Sequence, residues 1–426
     1  MKKLKKDSRI LFTTVPLSEV ITENGPNGKY INHNDLSQNM SHAVPRPLQL
    51  RSFVPPGGLR FIKENVPNVD TLEYPTWEEF EKKLDEGYDA VGISFLTYTV
   101  PIAVKMAKLA KERGIQEVWA GNYGAMTPGI DKYFDRVIVG LAENKIRKIL
   151  GLEPLKKIKH PEIVLVNTIN ALQSIMNRKI GILFSTRGCP QKCSFCPTPS
   201  FAPDLDYISM DEIEKVLDIY KANKVTQIHV CDETFLLNRT YSKRVLDAMV
   251  KRGLSWQCMT RADLIKGKIR ELKDTGMVWV GIGLETLKDI TLKKQNKGQD
   301  LKTLLDVLDE AEKNDLPIWG SFMLCFEDDT VESLKKDIDR LAMMNIFSLQ
   351  FAIFTPFPGT PLWDKMKNKI IEKDWSKYDH MHLIWDHPKI TQKEAEEIFY
   401  YAHKKVNRSI NYIKHLIKME VAKKFR

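Results

Sequence analysis

Apolar residues in this chain fall into short continuous runs, separated by longer stretches with helical spacing. Short apolar runs bounded by turn residues mark strands buried on both faces, and strands alternating with helices predict parallel sheets covered by helices. Arg9–Val15 reads as a first buried strand, followed by a Pro- and Asn-rich loop from Glu23 to Pro47. Ala90–Phe95, Val118–Ala120 and Arg136–Val139 read as further strands. Pro101–Arg113 reads as a helix, with proline at a tolerated first-turn position and Ile102, Met106, Leu109 and Ala110 on one face. This alternation predicts a Rossmann-like parallel-sheet domain over residues 1–150.

From Lys179 onward six more apolar runs recur with helical stretches between them: Ile180–Ser185, Gln227–Val230, Trp256–Arg261, Val278–Gly283, Ile318–Leu324 and Leu349–Phe354. They predict a partial (β/α)6 TIM-like barrel over residues 179–365, with its chemistry at the C-terminal strand ends. Residues 151–178, with Pro154, Pro161 and several lysines, read as a linker, and residues 366–426 as a helical C-terminal region. There, Thr391-Gln392-Lys393-Glu394 is a capping-box pattern. Ile398, Phe399, Ala402, Val406, Ile410, Ile413 and Ile417 would form the buried stripe of the helix that follows. The fold class expected for the whole chain is α/β.

A length of 426 residues fits two or three domains, and 43% hydrophobic content excludes a disordered chain. No run of eighteen apolar residues suggests a membrane-spanning helix. The basic start, Met1 to Lys6, lacks the apolar core of a signal peptide, so the chain reads as cytoplasmic. The net charge of +10 raises nucleic acid, an anionic membrane or an acidic substrate as partners. Basic residues are spread along the whole chain, as in the lysine-rich compositions of thermophiles, which argues against a nucleic-acid footprint. The tail is the exception: Lys404 to Arg426 holds eight Lys or Arg and one Glu. Such a helix would allow peripheral contact with an anionic membrane; packing on its own domain is the plainer alternative.

Cys189, Cys193 and Cys196 stand together in the run Thr186-Arg187-Gly188-Cys189-Pro190-Gln191-Lys192-Cys193-Ser194-Phe195-Cys196-Pro197. Three thiolates on one tight loop can hold three irons of a four-iron cubane and leave the fourth open to an external ligand. Structural zinc is the alternative, but it wants four ligands, and no fourth stands near in sequence. Cys231, Cys258 and Cys325 are scattered singly and read as buried small hydrophobes.

This C-x3-C-x2-C loop, with Phe195 before its third cysteine and an apolar strand ahead of it, resembles that of the radical S-adenosylmethionine enzymes. The resemblance implies a [4Fe-4S] cluster on Cys189, Cys193 and Cys196. S-Adenosylmethionine would chelate the open iron and be cleaved to a 5′-deoxyadenosyl radical. Later segments follow in the family's order and resemble those of the subfamily carrying a cobalamin-binding domain. Asp232 and Glu233, closing the second barrel strand, look like acceptors for the methionyl ammonium. Arg261, closing the third, resembles a group for the methionyl carboxylate. Glu285, in Gly-Ile-Gly-Leu-Glu, resembles a contact to the ribose or amine, and Thr355–Leu362 resembles the terminal P-x-P-G-T-P element. Singly, each of these reads as a helix cap or a turn. Where this chain has Cys325 and Glu327, relatives usually carry Gly and Pro.

Residues 1–150 resemble the cobalamin-binding domain ahead of the barrel in that subfamily, through Val91–Ser94, Ala120–Pro128 and Val139–Glu143. The resemblance implies cobalamin contacts at Gly92, Ser94, Thr97, Tyr98, Gly121 and Gly124. The D-x-H-x-x-G motif is missing, so histidine from this domain is not expected beneath the cobalt. A retained fold without cofactor is the alternative. The function implied is radical methylation of an unactivated carbon in a small-molecule, lipid or peptide substrate, fed by a donor such as ferredoxin or flavodoxin. Ring formation, carbon–carbon bond formation or rearrangement is the second reading, and a non-enzymatic iron–sulfur module the third. A methylthiotransferase would need three more N-terminal cysteines, and Cys189 is the first in the chain.

Overall fold

The computed structural model describes residues 4–16, 21–25, 29–32, 50–51, 55–169 and 178–406. In chain order, the first strands are β1 (Ile10–Thr14), β2 (Ile21–Gly25), β3 (Lys29–Asn32), β4 (Leu50–Arg51), β5 (Val69–Leu72), β6 (Ala90–Ser94), β7 (Glu117–Gly121) and β8 (Arg136–Val137). Five of them form a wholly parallel sheet in the order β5-β1-β6-β7-β8. Alternation along β1 shows why it is central. Ile10 and Phe12 join Trp119, Leu59, Ile62 and Ile146 on one face, while Leu11 joins Val91, Val118, Phe80 and Met106 on the other. Helices Gly57–Asn65 and Glu143–Ile149 cover the first face, and Trp77–Leu84 and Val100–Glu112 the second.

The second half adds β9 (Val164–Ile169), β10 (Arg178–Leu183), β11 (Thr186–Arg187), β12 (Asp206–Tyr207), β13 (Gln227–Val230), β14 (Ser255–Thr260), β15 (Met277–Glu285), β16 (Ile318–Leu324) and β17 (Ser348–Ile353). All but β11 and β12 of these join β4 in a sheet ordered β17-β16-β15-β14-β13-β10-β9-β4, in which the strands from β10 to β17 run parallel, β9 pairs antiparallel with β10, and β4 antiparallel with β9. β11 and β12 pair in a separate short ribbon. Helices such as Met210–Ala222, Arg239–Lys251, Leu301–Lys313 and Val331–Met343 connect the parallel strands, giving a TIM-barrel-like α/β unit.

Several expectations need correction. The stretch taken as a linker contains β9, whose main chain pairs with β10. The loop expected from Glu23 to Pro47 holds part of the β2–β3 hairpin, and its remainder lies outside the described residues. β5 and the helix Gly57–Asn65 were not anticipated. A helix opening on two glycines is weak by propensity, and burial of Leu59, Phe61 and Ile62 overrides it. Among the described residues of the C-terminal region, α-helix spans Pro361–Met366 and Gln392–Val406, with short 3-10 turns at Lys367–Lys369 and Trp375–Lys377 between them. Ile410, Ile413, Ile417 and most of the basic tail lie outside the described residues. No described helix is long and apolar enough to cross a membrane.

Gly92 sits on β6 beneath the Phe12 ring, which is itself packed edge-on against Trp119 at 6.0 Å. A Cβ at Gly92 would run into that ring, which Trp119 holds from one side. Gly92→Ala is expected to destabilise the chain by about 1–3 kcal/mol, read as a lower urea midpoint at unchanged slope.

Candidate functional site

The cysteine loop begins where β10 ends, and Asp232 at the end of β13 sets its start. The Ser185 N–H (2.6 Å) and hydroxyl (2.5 Å) donate to this carboxylate, as do the Thr186 N–H (3.0 Å) and hydroxyl (2.7 Å). Burial pushes the Asp232 carboxyl up to about 6, against the opposing pull of these donors. Both oxygens of Asp232 are engaged within the protein, and the residue is 2% exposed. It is a brace for the loop. Glu233 is different. It is exposed at the cleft, accepts the Gly188 N–H at 3.1 Å, and has its carboxyl raised by the protein walls around it.

Gly188 has φ +87°, and a Cβ there would meet the Ala202 carbonyl at 2.8 Å, so the turn into Cys189 needs glycine. The Cys189 N–H donates to Ala202 O (2.9 Å) and the Cys196 N–H to Cys193 O (3.2 Å). Cys189 and Cys193 are buried, and burial raises the thiols of Cys193 and Cys196, the latter to about 11. Among the described residues, no three His, Cys, Asp or Glu side chains gather around a single-ion position. A cubane does not ask for that, because each thiolate meets a different iron. Three cysteines on one braced loop therefore fit the cluster by donor chemistry. Cys258 and Cys325 are buried and Cys231 is half-buried, as small core residues.

Arg261 stands on the opposite rim. Arg261, 7% exposed, donates to both Asp263 oxygens (2.9 and 3.3 Å), Gln191 Oε1 (3.3 Å), Lys297 O (2.7 Å) and Gly298 O (2.7 Å). All of its guanidinium contacts named here are made within the protein. The segment Gln295–Gly298, which the sequence did not single out, clamps the cysteine loop. The Ser194 N–H donates to Gln295 O (3.0 Å), the Ser194 hydroxyl to Gln295 Oε1, and the Asn296 amide to Lys192 O (2.9 Å). From this segment Lys297 pairs with Glu285 and stands 6.0 Å from the Phe195 ring centroid. Despite burial, the charges of Glu285 and Cys193 hold the Lys297 ammonium above its ordinary value. The P-x-P-G-T-P element also reaches the loop, where the Leu362 N–H donates to Ser194 O at 3.0 Å.

Between the two sheets lies a cavity of about 420 Å³. One wall is the strand ends of the first sheet, with Thr14, Gly92, Ser94, Tyr98 and Gly121; the other brings Phe184, Arg187, Phe201 and Glu233. Thr97 and Gly124 do not line it. Thr97 is buried, and Gly124 is filled over by Phe95, whose carbonyl would lie 2.7 Å from a Cβ. At Gly121 a Cβ would meet only the Ile93 carbonyl, at 3.6 Å, so bare backbone faces the cavity as a flat ligand requires. Phe12, Phe95, Leu96 and Trp119 supply apolar lining. This cradle fits a corrin held by its edges and faces. Arg187 crosses the gap, donating to Glu143 (2.5 Å) and to Asp206 (2.5 and 3.1 Å) with its guanidinium 4.4 Å over the Phe61 ring.

Arg261→Lys tests what these internal contacts contribute. One ammonium cannot reproduce five guanidinium contacts, so the variant should lose about 2 kcal/mol in urea unfolding and retain less iron after reconstitution. Unchanged stability and iron with weaker S-adenosylmethionine binding would support the carboxylate-binding role.

Residues 183–341 match the model of the Radical SAM superfamily. Bacteriochlorophyllide d C-12(1)-methyltransferase of Chlorobaculum tepidum is 26% identical over 339 residues, covering 74% of this chain and 73% of that protein. Bacteriochlorophyllide d C-8(2)-methyltransferase of the same organism is 26% identical over 342 residues, covering 72% and 75%. The solved structure of the radical S-adenosylmethionine methyltransferase TsrM from Kitasatospora setae, with cobalamin and a [4Fe-4S] cluster bound, aligns with a TM-score of 0.63. That alignment, at 12% identity, covers 93% of this chain and 91% of TsrM, and speaks for the fold. The family match starts at the last residue of β10 and takes in the cysteine loop, Asp232, Glu233, Arg261, Glu285 and the clamp segment. By that match residues 183–341 form a Radical SAM domain.

Proposed function

We propose that this chain is a cobalamin-dependent radical S-adenosylmethionine enzyme that methylates an unactivated carbon of a small molecule. The carrying observation is the cavity whose one wall is the strand ends of the first sheet and whose other wall flanks the cysteine loop. In this reading residues 1–150 are a Rossmann-like cobalamin-binding domain and residues 179–365 a partial (β/α)6 barrel. The names of the bacteriochlorophyllide methyltransferases and the cofactors in TsrM support it.

Cys189, Cys193 and Cys196 hold the cluster, which supplies the electron that splits the sulfonium of S-adenosylmethionine. Glu233, accessible and beside Gly188, receives the methionyl ammonium. Lys297 and Glu285, paired next to Cys193, offer one cation and one anion to the remaining polar groups of that cosubstrate. Asp232 and Arg261 act through others, holding the loop to β13 and to the clamp segment. On the far wall Ser94, Tyr98 and Gly121 bear on the corrin, and cobalamin supplies the methyl carrier. The apolar lining excludes water from the space between.

Three outcomes are expected. Changing Cys189, Cys193 and Cys196 together to Ala should abolish iron retention after anaerobic reconstitution, and full retention would defeat the cluster assignment. The wild-type chain should keep hydroxocobalamin through desalting; with S-adenosylmethionine and a reductant it should form both 5′-deoxyadenosine and S-adenosylhomocysteine. 5′-Deoxyadenosine without S-adenosylhomocysteine would leave the radical step and remove methylation. Bound cob(II)alamin should show no nitrogen superhyperfine splitting in its paramagnetic resonance spectrum. His160, packed on the cavity residues Phe61 and Phe184, is committed: its Nδ1 meets Pro161 O at 2.7 Å and its Nε2 accepts the Phe184 N–H at 2.9 Å. His33 and His42 lie outside the described residues.

A further inference from the structure

Three segments remote in sequence meet on the solvent side of the cysteine loop. The Ser194 N–H donates to Gln295 O and its carbonyl accepts the Leu362 N–H, both at 3.0 Å, while the Asn296 amide donates to Lys192 O at 2.9 Å. Each segment carries exposed lysines: Lys192 inside the loop, Lys293 and Lys294 at the end of the helix Asp289–Lys294, and Lys365, Lys367 and Lys369 in and after the helix Pro361–Met366. Glu327 ties two of these segments together, 2.9 Å from Lys294 Nζ and 2.6 Å from Lys369 Nζ. Asp364 stands 3.6 Å from Lys367. Among the described residues, Lys192, Lys293 and Lys365 form no ion pair. Lysine is common throughout this chain. What sets this surface apart is that the three segments and Glu327 bring six lysines together with two carboxylates, and that Lys192 immediately precedes Cys193. None of the six lines the cavity between the sheets.

We propose that this lysine-bearing surface is the docking site of an acidic one-electron carrier protein, which delivers the electron consumed when S-adenosylmethionine is cleaved. The proposal rests on the cluster reading made above and names the partner of that site. Splitting the sulfonium takes one electron from the cluster, so the oxidised cluster must regain one electron from outside before the next event. In that step the carrier loses one electron, the cluster gains it, and no bond or proton moves. Transfer between proteins falls off steeply with distance, which favours a partner seated against the loop that bears the thiolates. An anionic face on that partner answers the surplus of ammonium groups, raises the encounter rate by steering and sets the orientation. Electron-transfer encounters bury little surface, below about 1,200 Å² in total, so a patch built on three short segments is large enough. Charge pairs between exposed groups are individually weak, which suits a carrier that must leave after each electron.

The test is anaerobic stopped-flow reduction of the oxidised cluster in the reconstituted full-length chain. The donors are reduced flavodoxin, reduced plant-type ferredoxin and, as a control, the small cation radical of methyl viologen. The variant Lys192→Glu/Lys293→Glu/Lys365→Glu changes three exposed side chains, so it should fold and keep the wild-type iron content. Its reduction by one of the two protein carriers should be about tenfold slower than wild type or more at low ionic strength, and the difference should shrink as salt is added. Its reduction by methyl viologen should be no slower. The variant Lys293→Glu/Lys365→Glu leaves the cysteine loop untouched and should show the same effect, smaller. The carrier whose rate falls is the one the surface fits. Equal rates in variants and wild type with both carriers, or a wild-type cluster that methyl viologen reduces and neither carrier does, would overturn the docking site while the cluster reading stood. So would retention of the wild type on anionic vesicles or transfer RNA, lost in the variants, with carrier rates unchanged. A wild-type chain that holds no iron would overturn the cluster reading and the docking site together.

Discussion

The arrangement hangs on Arg187. Its guanidinium is buried between Glu143 of the first half and Asp206 of the second, over the face of Phe61. It is also the residue two before Cys189, so the same side chain that docks the two halves fixes the entrance to the cysteine loop. A buried cation is tolerated only while its carboxylates stay in place, and removing one partner of such a pair costs about 3–5 kcal/mol. That penalty makes docking close to all-or-none. The cavity walls cannot drift apart without exposing an unpaired charge. Gly140 reinforces the contact, lying so close to the Phe201 carbonyl that a Cβ would sit 2.8 Å from it.

The polar groups around the loop divide into those the protein uses on itself and those it leaves accessible. Asp232 and Arg261 are conspicuous carboxylate and guanidinium groups at strand ends, and both are saturated by internal partners. Glu233 keeps its carboxylate accessible, and Lys297 keeps a charge held beside Cys193. A zwitterionic cosubstrate needs opposite charges at a fixed spacing, and rigid second partners are what keep that spacing constant.

How far this was legible in the sequence follows from the range of each signal. The parallel strands stood out because burial on both faces makes them apolar throughout. The cysteine loop stood out because all of its ligands are local. β5 escaped notice because, at the sheet edge, its apolar content is thin, and Val69 alone of its residues is buried. β9 escaped because prolines and lysines flank it, while its pairing with β10 is tertiary. The internal partners of Asp232 and Arg261 were out of reach for a related reason. Residue type and strand-end position show that a charge is present, but not whether backbone groups from other loops already occupy it. Lys297 lies in a polar stretch with no pattern of its own; its significance comes from Glu285, twelve residues earlier, meeting it beyond the short helix Asp289–Lys294.

The Asp232 brace also sets an order of events during synthesis. Ser185 and Thr186 emerge from the ribosome 47 and 46 residues before the carboxylate that holds them. Through that interval the three thiols sit on a chain whose start is untethered, with the clamp segment at Gln295–Gly298 still farther behind. Their geometry is complete only after about a hundred more residues have appeared, since Gln295 stands 101 positions beyond Ser194. Iron offered earlier meets separate thiols; iron offered after release meets a preformed cage. The nascent chain is therefore exposed to oxidation of its cysteines for a period set by translation speed, and slow elongation between residues 196 and 298 lengthens that exposure.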